Sequence, residues 1–79
     1  MTQSTTNSIA SLITVLNNVL GDANRHAILA KDAIAEGNRN GAIGALLPAV
    51  EKLDAAVAVL GTIMTLHQTS HALARRDDR

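Results

Sequence analysis

The only residues with obvious catalytic or ligating chemistry are a few histidines, carboxylates and hydroxyls, and their spacing is the first thing to test. His26, His67 and His71 are the three histidines. His67 and His71 stand four apart and share a helical face, a spacing that can grip a metal ion. A metalloprotease helix would place a Glu directly after the first of them, and Gln68 stands there instead. No neighbouring carboxylate completes a ligand set, so the pair reads as a polar end to an apolar seam, and neither metal nor cofactor is expected. Asp22, Asp32, Glu36, Glu51 and Asp54 include no Glu-x-x-His pair of the kind that builds di-metal bundles. Glu51 and Asp54 share a face as charges on a solvated helix do. The serines cluster near the N-terminus with no strained turn or positioned base. The glycines of 37–44 lack the Lys-Ser/Thr of a phosphate loop. The expectation is a protein that is not an enzyme.

One polar set stands apart. Asn17, Asn18, Asn24, Arg25 and His26 gather on either side of Gly21. Amide, guanidinium and imidazole groups beside a bent backbone could hold an anion or a phosphodiester where subunits meet, with Arg75 and Arg76 arriving from another copy. The alternative is a set of solvent-facing helix residues, with His26 paired to Glu51 across a hairpin.

Composition narrows the partners. The chain has 79 residues, enough for one domain with a thin core, and no cysteine. Disulfides and thiolate sites are therefore excluded, which leaves a partner chain as the route to stability. Aromatic residues are absent, so the platforms that stack bases and the bulky anchors of many protein interfaces are missing. Seven basic and seven acidic residues cancel, which argues against duplex DNA as a partner. The N-terminal residues lack the basic start of a signal peptide. The apolar stretch from Ala55 to Met64 is far short of the ~20 residues that span a bilayer. A cytoplasmic protein with no membrane partner is expected.

The elements that would carry these residues are helices. Thr6 or Asn7 can cap a first arm whose apolar residues fall at Ile9, Ile13, Leu16, Leu20, Ala23, Ala27, Ala30 and Ile34. The steps alternate four and three, the seam of a packed helix. The phase holds across Gly21, which predicts a single arm with a weak point there, a bend or break at Gly21 being the alternative. Gly37 suits a left-handed cap, and Asn38 or Asn40 can cap the next helix. A second seam runs Ile43, Leu46, Val50, Leu53, Val57, Leu60, Met64. Pro48 lies inside that helix, which predicts a bend there or a break near Leu47.

The turn, with Gly37, Ala42, Ala49, Val50 and Leu53-Asp54, resembles the hairpin of a single tetratricopeptide repeat. That resemblance implies a tight antiparallel hairpin. The predicted pairs are Ile34 with Ile43, Ala27 with Val50, Leu20 with Val57 and Ile13 with Met64. The fold class is thus all-α, one helical-hairpin domain over 1–79 with frayed ends at 1–6 and 75–79.

Both arms carry a second apolar stripe. It is Ala42, Ala45, Ala49, Ala56, Val59, Ile63 and Leu66 in the later helix, interrupted by Lys52. In the early arm it is Leu12, Val15, Val19, Leu29 and Ala33, interrupted by Asp22 and His26, with Ile28 on yet another side. A hairpin cannot cover so much apolar surface, so Leu12, Val15, Val19, Ile28, Leu29, Ala56, Val59, Ile63 and Leu66 are expected at contacts between copies. A homodimeric four-helix bundle or a larger closed ring would satisfy them.

Three functions fit. The first is an interaction or regulatory module that binds itself and another protein. The second rests on architecture: the weak point at Gly21, the hairpin at Gly37 and the flanking Asn, Arg and His groups resemble the phage proteins that counter CBASS immunity by soaking up cyclic nucleotides. That resemblance implies a sponge holding a cyclic nucleotide between subunits in the host cytoplasm. A membrane-surface helix protein is the third, disfavoured by the weak apolar stretch and few basic residues.

Overall fold

The computed structural model describes residues 2–77, with side chains from 3 to 70. Two helices make up the fold: α1, Thr2–Ala35, and α2, Arg39–Asp77. Among the described residues there is no strand. α1 runs unbroken through Gly21 and α2 through Pro48. The ~1 kcal/mol that a glycine costs a helix interior is outweighed at Gly21 by packed residues on both sides. α1 also starts ahead of Thr6. Thr5 is half-buried, one step below Ile9 on the packed face, and Ser70 of α2 is half-buried at the same end of the hairpin.

The turn is built by local hydrogen bonds. Gly37 takes φ +79°, the left-handed conformation that costs least without a Cβ. The Asn38 amide donates to the Ala33 carbonyl at 2.9 Å and the Gly37 amide to the Ile34 carbonyl at 3.0 Å. Together these form a Schellman cap on α1. Asn38 then caps α2, its side-chain oxygen accepting from the Gly41 amide at 2.8 Å. One asparagine therefore closes one helix and opens the next, so the two axes must start close together.

That closeness decides which faces meet, and here the structure corrects the predicted seam. The packed face of α1 is formed by the buried or half-buried Thr5, Ile9, Leu12, Leu16, Val19, Ala23, His26, Ala30 and Ala33. That of α2 is formed by Ala42, Ala45, Ala49, Lys52, Ala56, Val59, Ile63, Leu66 and Ser70. Both series step by three and four. Read antiparallel, they set Ala33 level with Ala42, Ala30 with Ala45, Ala23 with Lys52, Val19 with Ala56 and Leu12 with Ile63. The small-residue stripe of α2 faces inward, and the large-residue stripe predicted to do so faces out. Ala56 is 3% exposed and its neighbour Val57 68%. Alanine opposite alanine is what two axes held together by a three-residue connection can accommodate. Leu46 or Ile43 in the same place would push the helices apart.

The result is a rod of 64 × 15 × 13 Å with a radius of gyration of 18.3 Å. A compact domain of this length would have a radius of about 12 Å. The accessible surface is 6025 Å², against roughly 4,500 Å² for a folded monomer of this mass.

Candidate functional site

The outward stripes lie on one broad side of the rod. In an antiparallel helix pair, residues one step past the seam in the same rotational sense end up on the same side. In α1 those positions are Ile13, Leu20, Ala27 and Ile34, with Ala10, Asn17, Asn24 and Lys31 beside them; in α2 they are Leu46, Leu53 and Leu60, with Ile43, Val50, Val57 and Met64 beside them. All are exposed. The side spans about 32 Å of helix from Ile13 to Ile34 at 1.5 Å per residue, and its charged residues stand at its margins, Lys31 on the outer row of α1 and Arg39 at the turn end of α2. Asn17, Asn24 and Lys31 edge it along α1, and Asp54 and Gln68 along α2.

The opposite side is poorer in large apolar groups. It carries Val15 and Leu29 on α1, with Gly41, Pro48, Ala55 and Thr62 on α2. Asp22 also lies there, half-buried, in an ion pair with the exposed Arg25 on its own helix. Its other oxygen is 3.7 Å from the Lys52 ammonium across the hairpin. Opposite charge thus answers the lysine that interrupts the α2 seam. Among the described residues no ion pair joins His26 to Glu51; His26 sits half-buried in the seam and Glu51 is exposed.

The residues expected to hold a ligand are divided by this geometry. Asn17 and Asn24 edge the apolar side, Asn18 and Arg25 face away from it, and His26 lies between the helices. No single hairpin brings them to one wall. Arg75 and Arg76 belong to the helical part of α2, but their side chains lie outside those described. Their backbone is about 38 Å along the axis from the level of Arg25, at 1.5 Å per residue.

The nine residues expected between copies separate as well. Leu12, Val19, Ala56, Val59, Ile63 and Leu66 lie in the hairpin seam, whereas Val15, Ile28 and Leu29 are exposed. The physical reason is the alanine-lined turn described above. What sequence reasoning missed was the use of the larger side chains, assigned to the inside and found outside. The signal was present in Ala30 and Ala33 standing level with Ala45 and Ala42 beside a short turn.

His67 is exposed at the end of the apolar side, and the His71 side chain lies outside those described. Among the described residues no group of three His, Asp or Glu side chains is placed to hold a metal ion, and no helix is long and apolar enough to cross a membrane. Comparison with protein-family models, curated proteins and solved structures finds no match to this chain.

Proposed function

We propose that this chain is a non-enzymatic helical protein that self-associates and acts by binding, as an interaction module. The observation supporting the reading is the apolar side formed by Ile13, Leu20 and Ile34 with Ile43, Leu46, Val50, Leu53, Val57, Leu60 and Met64, all exposed in the single hairpin. Monomeric proteins seldom leave so much contiguous apolar surface wet, and wetting it costs roughly 25 cal/mol per Å². The hairpin has its own seam and its own caps, so the second stripe is surplus to folding and available to a partner.

Native mass spectrometry of the full chain tests this. Assembly beyond the monomer is expected, with loss of assembly in Val57→Glu at unchanged helical circular dichroism. Assembly identical in Val57→Glu and the parent would remove the apolar side from the reading. Repeating the measurement with a panel of cyclic nucleotides tests the sequestering alternative, in which the asparagines edging the apolar side would meet a ligand only between copies. A retained nucleotide at fixed stoichiometry would favour that alternative, and bare assemblies throughout would favour the interaction module.

A further inference from the structure

The apolar side has a register of its own. Resting on the self-association proposed above, we infer that its occupant is a second copy of this chain, packed face to face about a twofold axis perpendicular to the rod at the level of Ala23 and Lys52. The two hairpins then form a four-helix bundle in which α1 lies antiparallel on α1 and α2 on α2 of the second copy.

Three observations carry this. The first is that one axis can be placed to serve both helices. On α1, centring the outward residues places Ile13 opposite Ile34 of the second copy and Leu20 opposite its Ala27. On α2, an antiparallel pairing that staggers the two outward rows places Val50 opposite Leu53 of the second copy and Leu46 opposite its Val57. The midpoint of the first set falls between residues 23 and 24, and that of the second between 51 and 52. Ala23 and Lys52 stand level in the hairpin seam, with Asp22 and Lys52 in contact at 3.7 Å. One axis therefore serves both helices without sliding either.

The second observation is charge. A twofold axis sets each patch against its own copy, so a charge within it would meet its like. The charges on these rows stand at the margins, Lys31 on the outer row of α1 and Arg39 at the turn end of α2. Self-pairing sets Lys31 at the level of Leu16 of the second copy and Arg39 at the level of its Met64, where the arginine stem can lie along the thioether, so neither meets its like.

The third is area. The patch is about 32 Å long at 1.5 Å per residue and the rod 15 Å wide. Two copies together cover roughly 1,000 Å² in projection, and more once side-chain relief is counted, which meets the ~1,000 Å² that a specific interface needs. A twofold axis along the rod fits less well, because it would lay the apolar outer row of α2, Val50 and Val57, over Asn17 and Asn24 of α1.

A distance measurement on the intact chain decides it. The protein has no cysteine, so Gln68→Cys, on the exposed edge of α2, accepts a single nitroxide label. Native mass spectrometry of the labelled protein should give a dimer. Electron double resonance should then give a label separation of about 50 Å, since residue 68 lies about 25 Å along the helix from the axis at 1.5 Å per residue. A dimer with labels within about 25 Å, the width of two helices side by side, would overturn the perpendicular axis and leave self-association standing. A trimer or larger ring would overturn the dimer and likewise leave self-association standing. A monomer at every concentration would remove both. Val57→Glu in the labelled background is expected to abolish the distance; a distance that persists would place the interface elsewhere.

Discussion

The Lys52 ammonium lies 3.7 Å from the Asp22 carboxylate, so a charge standing in the α2 seam is met by a charge on the facing helix. Asp22 is also paired with Arg25 and accepts from two cations at once. Both ends of the cross-hairpin pair remain about two-fifths exposed, with side-chain exposures of 43% and 35%, so water screens it. A pair of this kind contributes at most about 1 kcal/mol.

Asp22→Asn is therefore expected to lower hairpin stability by about 0.5 kcal/mol in dilute buffer and by less in high salt. Lys52→Met is expected to raise it, because an apolar side chain completes the seam while Asp22 keeps Arg25 as its partner. Urea denaturation of both variants at two salt concentrations checks the pair. A destabilised Lys52→Met would mean the ion pair sets the helix register.

The alanines of the seam predict an asymmetry between neighbouring residues. Ala56 is buried against the level of Val19 and Val57 faces out. Ala56→Leu should push the helices apart and cost about 1–3 kcal/mol. Val57→Leu should leave the hairpin itself unchanged. Thermal melts at low protein concentration, where assembly contributes least, separate the two.

Much of this fold is legible in the residue pattern. The three–four spacing predicts both helices, the unbroken phase across Gly21 is realised as one helix, and Gly37 and Asn38 announce the turn. The facing of α2 is not legible there, for a physical reason. Its two apolar stripes lie one residue apart, Ala42-Ala45-Ala49 beside Ile43-Leu46-Val50, and hydrophobicity alone favours the larger side chains for the inside. Distance between the axes decides otherwise, and it is set by the Asn38 double cap, a tertiary consequence of three residues. The candidate ligand set is spread around one hairpin for a related reason. Asn17, Asn18, Asn24, Arg25 and His26 are close in sequence, but a continuous helix advances each residue by about 100° and distributes them around its circumference.

The double cap itself can be tested. Gly37→Ala forces a Cβ into a left-handed conformation and is expected to cost about 1–2 kcal/mol. Asn38→Ala removes the side-chain acceptor of the Gly41 amide and should cost about 1 kcal/mol. Gly41→Ala gains helix propensity of about 1 kcal/mol, but its Cβ would run into the capping Asn38 side chain, so a net change near zero is expected. Chemical denaturation of the three variants gives the ordering, and a clear stabilisation by Gly41→Ala would show that the cap can shift aside without loss.

Arg25 offers a test of the ligand alternative that does not depend on knowing the ligand. Its guanidinium is paired with Asp22 on the side of the rod away from the large apolar patch. Arg25→Ala should leave the native mass of the assembly unchanged, and stability should move by no more than the few tenths of a kcal/mol of an exposed i,i+3 pair. If a cyclic nucleotide is retained by the parent protein and lost by this variant, Arg25 must leave Asp22 for the ligand, and the contact between copies must lie on that side.

Val57 and Ile63 give the sharpest contrast, because either would be an interface residue if the facing of α2 were unknown. Ile63 is 8% exposed and lies in the seam at the level of Leu12, whereas Val57 is 68% exposed on the outer side. A glutamate at 63 would place an unpaired carboxylate between the helices of one hairpin, where burial disfavours its charged form. Ile63→Glu is therefore expected to lose helical circular dichroism and cooperative melting as well as assembly. A glutamate at 57 meets water in the isolated hairpin and is desolvated only when a second copy covers it. Val57→Glu should keep its helicity and lose mass, running as a monomer. Circular dichroism beside native mass spectrometry reads both properties from the same samples. The reverse outcome, an unfolded Val57→Glu and a folded monomeric Ile63→Glu, would require α2 to be turned by about 100°, one residue on the helix, with the larger side chains inside after all.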